Sequence, residues 1–409
     1  MKNILSPIEL NDLLKKIVTA ESWLSLPLEE RISLDKLLEK FSADWAIAYA
    51  QFGQNSAGEL AYRDDLLFFS EQISAKLRKL FLFDSEGLRI LATIELMLMP
   101  QGNVSPPRKI LPRSWRQQQP ARTPLANSTV VEFECPLFIV SAPRAGSSLL
   151  FESLSQFEEI WSIGKESHDI EADITYLHPA SHGYDSNRLI EASTAISAEV
   201  KAWFSQRLKN HNKQSYFNVE PRAQSLRFLE KTPKNALRIP FLKQVFPDAK
   251  FIFLYRKPEE NINSLLEFWR SSRFPAYKNM PGWPHKEWYG LLPIGWEAFA
   301  NRPLVEITAH QWVIANQTIL DDINLLAAED WCFLSYDELI EQPAITLRRL
   351  CDFSGLQWTQ AIAQRFSQPL PLSSMVISPP VVDKWRKNAT EINTILTMTE
   401  SIQKQINLL

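Results

Sequence analysis

The 409-residue sequence predicts an α/β protein, a three-layer sandwich with a mainly parallel sheet, preceded by an all-α N-terminal region. Short apolar runs at 137–141, 250–255 and 331–335 alternate with helical patterns, which is the order of a parallel sheet with crossover helices. The first hundred residues show only helical spacing of their apolar residues. We therefore expect a helical domain at 1–100, a linker at 101–130 and an α/β domain at 131–409.

The N-terminal region opens with a signal for a helix start. Ser6 has the form of an N-cap, Pro7 suits the first helical position, and Glu9 is an acid in the first turn. Further stretches of helical spacing follow at 28–52, 59–82 and 85–99. These patterns predict a helical bundle.

The linker at 101–130 is rich in Pro, Gln and Arg, which favours an extended connector. Five of its basic residues have no nearby acid: Arg108, Lys109, Arg113, Arg116 and Arg122. Two interpretations of these residues stay open. They are solvated surface charges, or they line an anionic partner or a carrier domain.

Composition excludes several classes of protein. Apolar residues make up 45% of the chain and the formal charge is −3, which fits a globular enzyme and does not fit a nucleic-acid-coating protein. The three cysteines, Cys135, Cys332 and Cys351, are too widely spaced to indicate a disulfide framework or a metal cluster. No apolar run approaches the roughly 20 residues needed to span a bilayer. We therefore expect a cytoplasmic protein without a membrane or nucleic-acid partner.

The most informative segment is the loop after the first apolar run. Leu137–Val140 has the pattern of a buried strand, and a helical pattern begins at Leu149. A strand, a short loop and a helix point backbone N–H groups at an anion. The loop between them contains small residues, two hydroxyls and one fixed positive charge: Arg144, Ala145, Gly146, Ser147 and Ser148. This composition predicts a site for a phosphate or a sulfate, although the same string also occurs in plain turns.

A second candidate anion site follows the second apolar run. The run 250–255 ends at Arg256, and Pro258 then begins a helix that carries Ser264. Arg256 offers charge-assisted hydrogen bonds and Ser264 offers a hydroxyl two turns into the helix. A single arginine after a strand is ordinarily a solvated strand end, but its pairing with the first loop favours a second anion site.

These pieces, in this order, resemble the sulfotransferases that use 3′-phosphoadenosine 5′-phosphosulfate (PAPS). The loop lacks the lysine that the nucleoside-triphosphate pattern places between Gly146 and Ser147. Its arginine comes before the glycine, as in the Pro-Arg-x-Gly-Ser/Thr branch that includes protein-tyrosine sulfotransferases. The resemblance covers about 135–390 and implies a bacterial stand-alone enzyme with the P-loop-like sulfotransferase fold in its domain at 131–409.

The resemblance implies a role for each matching residue. The loop 144–148 would hold the 5′-phosphosulfate, Arg256 and Ser264 would hold the 3′-phosphate, and Lys231 of a Lys-Thr-Pro segment would lie beside the sulfuryl group. Three further cofactor contacts come from a Tyr-(Glu/Asp)-x-Leu signature and from a late basic segment: Tyr336, then Lys384, Trp385 and Arg386. No metal is expected.

Sulfuryl transfer is an in-line displacement that needs cations around the sulfuryl oxygens and a base for the acceptor hydroxyl. Arg144 and Lys231 are the candidate cations. Glu166 matches the catalytic glutamate of this branch, and His168, where the protein-tyrosine branch has an arginine, is a second candidate base. Alternatively, Glu166 and His168 are ordinary polar residues of a loop.

The aromatic segment 274–299 is the candidate wall of an acceptor pocket, with Trp283, Trp288 and Trp296 as its largest rings. A purely structural loop is the alternative. The predicted function is sulfuryl transfer from PAPS to a hydroxyl of a small-molecule or carrier-bound acceptor. A P-loop kinase or nucleotide hydrolase and a non-catalytic nucleotide-binding protein are the competing interpretations. The sequence does not indicate an oligomeric state.

Overall fold

The computed structural model describes residues 7–19, 21–24, 26–51, 77, 90, 94, 131–220, 225–377, 381 and 383–409. The chain divides into two compact units, 1–108 and 109–409, which are described separately. The predicted linker at 101–130 with its five basic residues lies outside the described residues. The helical patterns predicted at 59–82 and 85–99 lie outside them too, apart from residues 77, 90 and 94.

The described part of the N-terminal unit is helical, as predicted. Its helices are Pro7–Thr19, Glu21–Leu24 and Leu28–Gln51. Leu10, Leu14 and Ile17 share one face of the first helix because they are spaced four and three residues apart, and all three are buried. They belong to a cluster with Phe41 and Trp45, whose ring centroids are 6.5 Å apart.

The second unit is built on a six-stranded sheet whose pairings are all parallel. The strands are β1 (Glu132–Phe133), β2 (Leu137–Val140), β3 (Ile160–Trp161), β4 (Ser225–Glu230), β5 (Lys250–Tyr255) and β8 (Trp331–Ser335). Their order is β1-β4-β2-β5-β8, with β3 also paired to β4. A separate antiparallel pair joins β6 (Pro275–Lys278) and β7 (Glu287–Tyr289). The predicted fold class is confirmed.

Helices cover the sheet and follow each long strand. They are Ser147–Leu154, Ile170–Asp173, Thr194–Ser205, Ile239–Val245, Pro258–Arg270, Leu304–Ile323, Tyr336–Glu341, Pro343–Ser354, Gln360–Arg365, Ala389–Asn393 and Glu400–Ile406. Short 3-10 helices are found at Thr175–Leu177, Pro179–His182, Tyr216–Asn218, Pro233–Leu237, Trp296–Phe299, Ala328–Asp330, Lys384–Asn388 and Leu396–Thr399. No helix in the described part of the chain combines the length and the apolar character that a membrane span requires.

Strand β2 lies at the centre of the core. All four of its residues are buried because side chains alternate between two covered faces of the sheet. Phe138 packs on one face, with ring centroids 5.5 Å from Phe246 and 5.7 Å from Phe251. Leu137 and Ile139 belong to the apolar cluster of the other face. Burial of one such side chain contributes about 1.5–3 kcal/mol, and this packing fixes where the loop after β2 leaves the sheet.

Two elements differ from the sequence-based expectation. The residue pattern at 233–246 predicts one helix, but the structure has two pieces, the 3-10 helix Pro233–Leu237 and the α-helix Ile239–Val245. Pro240 explains the break, because proline has no N–H donor and fits only the first turn of a new helix. Strand β4 is present in the structure but was not among the strands predicted from the sequence. The charged residues Arg227 and Glu230 interrupt its apolar run, so its sequence lacks a clear strand pattern.

Candidate active site

A cavity of about 1000 Å³ lies at the carboxyl edge of the sheet. Parallel strands end at the same edge, so the loops after β2, β4, β5 and β8 all reach it. Ten of the predicted site residues line the cavity: Arg144, Gly146, Ser147, Ser148, Glu166, His168, Arg256, Ser264, Tyr336 and Lys384. The sheet thus gathers residues that are up to 240 positions apart in the chain, from Arg144 to Lys384.

Gly146 makes the turn from β2 into the helix Ser147–Leu154. Its φ of 102° lies in the left-handed region that favours glycine. The ring of Tyr336 lies directly against it, because a Cβ at position 146 would be 2.4 Å from Tyr336 Cδ2. Glycine is therefore needed here for two reasons, the backbone conformation and the neighbouring ring. Ala145 is fully buried behind the loop and does not reach the cavity.

Arg144 and Arg256 come from adjacent strands and approach the same loop. Arg144 Nη2 donates to the Met375 carbonyl at 3.0 Å, and burial lowers the pKa of this guanidinium. Arg256 Nη2 lies 2.6 Å from Glu260 Oε2, and its guanidinium lies 4.4 Å from the centroid of the Tyr336 ring. The Nε atoms of both arginines are buried without a hydrogen-bond partner. Two cations with remaining donor capacity therefore face one cavity.

The C-terminal segment contributes one cation to this cavity. Lys384 Nζ donates to Glu267 Oε2 at 2.6 Å, which ties the segment to the helix Pro258–Arg270. The two other predicted residues of the segment do not line the cavity. Arg386 pairs with Asp383 at 3.0 Å, and its guanidinium lies 5.1 Å from the centroid of the Trp385 ring.

Glu166 links His168 and Lys231 in one charged chain. Its Oε1 accepts a hydrogen bond from Lys231 Nζ, and its Oε2 lies 2.7 Å from His168 Nε2. Burial alone would raise the pKa of Glu166, but the His168 hydrogen bond and the Lys231 ammonium outweigh it and lower the pKa to about 2. Lys231 also donates to Ser148 Oγ at 2.9 Å. It thus contacts the loop 144–148, which we call the anion loop, although Lys231 itself does not line the cavity.

A second charged cluster lies at the cavity, and the sequence did not indicate it. Glu171 Oε2 accepts from Lys234 Nζ at 2.5 Å, and Glu171 Oε1 accepts from Arg238 Nη2 at 2.7 Å. Tyr277 OH also donates to Glu171 Oε2, at 3.1 Å, and brings the hairpin into the cluster. Burial would raise the pKa of Glu171, but the two cations outweigh it and lower the pKa to about 2.

One residue of this cluster could have been noticed in the sequence: Lys234 is a second lysine, three residues after the candidate cation Lys231. The pairing of Glu171 with Arg238 could not be predicted, because it depends on the packing of the helix Ile170–Asp173 against the end of the 3-10 helix Pro233–Leu237. The group carries two cations and one anion, and Glu171 and Lys234 line the cavity.

The three tryptophans predicted for the acceptor pocket lie elsewhere. Trp283, Trp288 and Trp296 are at most 8% exposed, and none is among the described residues that line the cavity. Their rings pack on one another, with centroids 4.8 Å apart for Trp283 and Trp288 and 5.8 Å apart for Trp288 and Trp296. The same segment lines the cavity through smaller or more exposed residues: Phe274, Pro275, Ala276, Gly290 and Leu291.

Within the described ranges, no group of three or more histidine, cysteine or acidic side chains is arranged to hold a metal ion.

Comparison with known proteins identifies the family. The model of the sulfotransferase family matches residues 136–360, more than half of the chain. The chain therefore belongs to the sulfotransferase family, and the prediction of a sulfotransferase enzyme is confirmed. The match favours this interpretation over a P-loop kinase. Comparison with curated protein sequences gives no match.

Several solved structures are similar to the chain. A sulfotransferase from Alicyclobacillus acidocaldarius is 15% identical with a TM-score of 0.37, over 67% of this chain and 97% of that one. Sulfotransferase STF9 from Mycobacterium avium is 14% identical with a TM-score of 0.40, over 100% and 98% of the two chains. Mouse sulfotransferase SULT7A1 complexed with PAP is 14% identical with a TM-score of 0.36, over 66% and 86%.

The contact between Gly146 and Tyr336 predicts an unusually large effect of a small substitution. Gly183→Ala should cost about 1–2 kcal/mol, since Gly183 has a φ of 70° but no atom within 4 Å of a Cβ. Gly146→Ala should cost more, because its Cβ also meets the Tyr336 ring. The measurement is the free energy of unfolding in urea. Equal costs for the two variants would contradict the contact.

The Glu171 cluster predicts a pH-dependent contribution to stability. Glu171→Gln should lower the free energy of unfolding by about 3–5 kcal/mol at pH 7, because two buried cations lose their anion. Lys234→Met should cost less, since Glu171 keeps Arg238. The pKa of Glu171 is lowered from 4.5 to about 2, so the wild type should lose this stabilisation as the pH falls through that interval. Urea unfolding at several pH values measures it, and a Glu171→Gln variant with the same pH dependence as the wild type argues against the cluster.

Proposed function

We propose that the protein transfers a sulfuryl group from PAPS to a hydroxyl of a small-molecule or carrier-bound acceptor by in-line displacement. One observation carries the proposal: Arg144, Arg256 and Lys384 line one cavity at the carboxyl edge of a parallel sheet, and Lys231 contacts Ser148 of its lining. A ligand with several anionic groups suits such a site. Family membership supplies the reaction class.

The residues of the cavity fit PAPS. The buried Nε atoms of Arg144 and Arg256 have no partner, so each guanidinium retains a donor for an anion. In this proposal the loop 144–148 holds the 5′-phosphosulfate and Arg256 with Ser264 holds the 3′-phosphate. Lys384 and Tyr336 flank the same space. When bound, PAPS supplies a sulfuryl group attached to a good leaving group.

The protein's own cations would stabilise charge during transfer. Lys231 is 3% exposed and contacts both Ser148 of the anion loop and Glu166. Arg144 lies in the same loop and is held by the Met375 carbonyl. Fixed donors in a site that excludes water stabilise developing negative charge without further rearrangement. We assign this role to Lys231 and Arg144.

We assign the proton-accepting role to His168, with Glu166 as the group that orients it. Both carboxylate oxygens of Glu166 are already engaged, and a carboxylate with a pKa of about 2 is a weak base. An ionised carboxylate only accepts hydrogen bonds, so His168 Nε2 must carry the hydrogen in their contact. The Nδ1 lone pair of His168 is then the basic position, as in histidine–carboxylate pairs of other enzymes.

Binding of 3′-phosphoadenosine 5′-phosphate (PAP), the product nucleotide, tests the cofactor site. Calorimetric titration should give micromolar affinity, with ADP binding more weakly. Arg256→Ala should weaken PAP binding about 10- to 100-fold, because a charge-assisted hydrogen bond contributes about 1.5–3 kcal/mol. Arg302→Ala is the matched control, since Arg302 pairs with Glu306 on the surface. Equal affinity for ADP and PAP, together with a requirement for Mg²⁺, would contradict the proposal.

Substitution of His168 distinguishes the two candidate bases. The measurement is the rate of PAP formation from PAPS, with a simple phenol as acceptor. His168→Gln should lower this rate about 100- to 10,000-fold, which is what a general base contributes. If Glu166 were the base, His168→Gln would keep most of the rate.

A further inference from the structure

We propose that Glu230, a buried carboxylate outside the cavity lining, is a positioning residue that holds Glu166, His168 and Lys231 in register. The inference rests on the proposed function, because it concerns the same reaction. Glu230 is the last residue of β4 and is 1% exposed.

Three side chains donate hydrogen bonds to Glu230. Its Oε1 accepts from Ser167 Oγ at 2.7 Å and from Thr232 Oγ1 at 2.6 Å, and its Oε2 accepts from Asn235 Nδ2. Ser167 and Thr232 are also joined directly, because the Ser167 backbone N–H donates to Thr232 Oγ1 at 2.8 Å. We call Ser167, Glu230 and Thr232 the clamp.

Clamp residues and functional residues alternate along two segments of the chain, 166–168 and 230–232. Ser167 lies between Glu166 and His168, and Lys231 lies between Glu230 and Thr232. A shift of either segment would therefore separate Lys231 from Glu166. Misplacement of a catalytic group by about 1 Å can reduce the rate by about 100-fold. Loss of the clamp should therefore lower the rate of sulfuryl transfer.

A carboxylate is specifically suited to the centre of the clamp. It only accepts hydrogen bonds, so the hydroxyl hydrogens of Ser167 and Thr232 must both point toward it. That orientation leaves a lone pair of Thr232 Oγ1 facing the Ser167 N–H. An amide at position 230 has one acceptor oxygen and one donor group, so it cannot accept from the two hydroxyls and from Asn235 Nδ2 together. One part of this chain is therefore broken in either orientation of the amide.

A buried carboxylate without a direct cation partner is costly, and burial raises the pKa of Glu230 despite its hydroxyl donors. In Glu230→Gln an acceptor oxygen is kept and the buried charge is removed, so the loss of stability should be modest. The clamp interpretation therefore predicts a loss of rate that is out of proportion to any loss of stability.

Four variants test the clamp through the kinetics of PAP formation from PAPS. Glu230→Gln and Thr232→Val should lower kcat about 10- to 100-fold, with the KM for PAPS and the Kd for PAP unchanged. Thr232→Ser keeps the hydroxyl and should retain the wild-type kcat. Asp322→Asn is the control for loss of a buried carboxylate, because Asp322 pairs with Arg188 away from the cavity lining. It should leave kcat unchanged despite a loss of stability that is at least as large, because Arg188 loses its buried anion.

Amide hydrogen exchange at Ser167 provides a readout that needs neither donor nor acceptor. Its protection should be lost in Glu230→Gln and Thr232→Val and kept in Thr232→Ser. Failure of wild-type PAP binding would contradict the proposed function but would leave this exchange pattern in place. The clamp is overturned if Thr232→Val matches Thr232→Ser in kcat and protection, or if kcat and PAP affinity fall together in step with stability.

Discussion

Parallel pairing of β2 with β4 and β5 is the constraint on which the site depends. Val140 lies opposite Phe253, and Phe138 lies opposite both Glu230 and Phe251. Strand β4 therefore ends two residues before β2, and β5 ends two residues after it, at the same edge of the sheet. The anion loop, Lys231 and Arg256 each follow one of these strands and therefore meet without further chain movement. A slip of β2 by one residue would exchange the side chains that pack on its two buried faces and would also displace the loop.

The cations at this edge are held by protein partners. Lys231 contacts Glu166, Arg256 contacts Glu260, and Lys384 contacts Glu267. These acids reduce repulsion among the cations and fix their directions, so the site is organised by the protein's own charges. An anionic ligand would then meet oriented donors, and the two partnerless Nε atoms indicate where donor capacity is left.

The sequence predicted the parts of this site that are local in the chain. A strand, a small-residue loop and a helix start are contiguous signals, and the helix beginning at Pro258 is present as predicted. The contacts that depend on distant segments could not be predicted. Glu171 pairs with residues more than 60 positions away. The three tryptophans lie inward because their indole N–H groups find carbonyl partners there: Trp283 and Trp288 donate within their own segment, and Trp296 donates to the distant Tyr184 carbonyl. The size of these rings indicated that they bury a large surface, but not whether they bury it in the cavity wall or in the interior of the segment.

Tyr336 lies against Gly146 on one side and near the Arg256 guanidinium on another. One ring therefore contacts both the anion loop and the candidate 3′-phosphate site. As homologues diverge, positions 146, 256 and 336 are not free to change one at a time, since a larger residue at 146 requires a smaller one at 336 and leaves the arginine without its aromatic support. We expect these three positions to covary among related sequences.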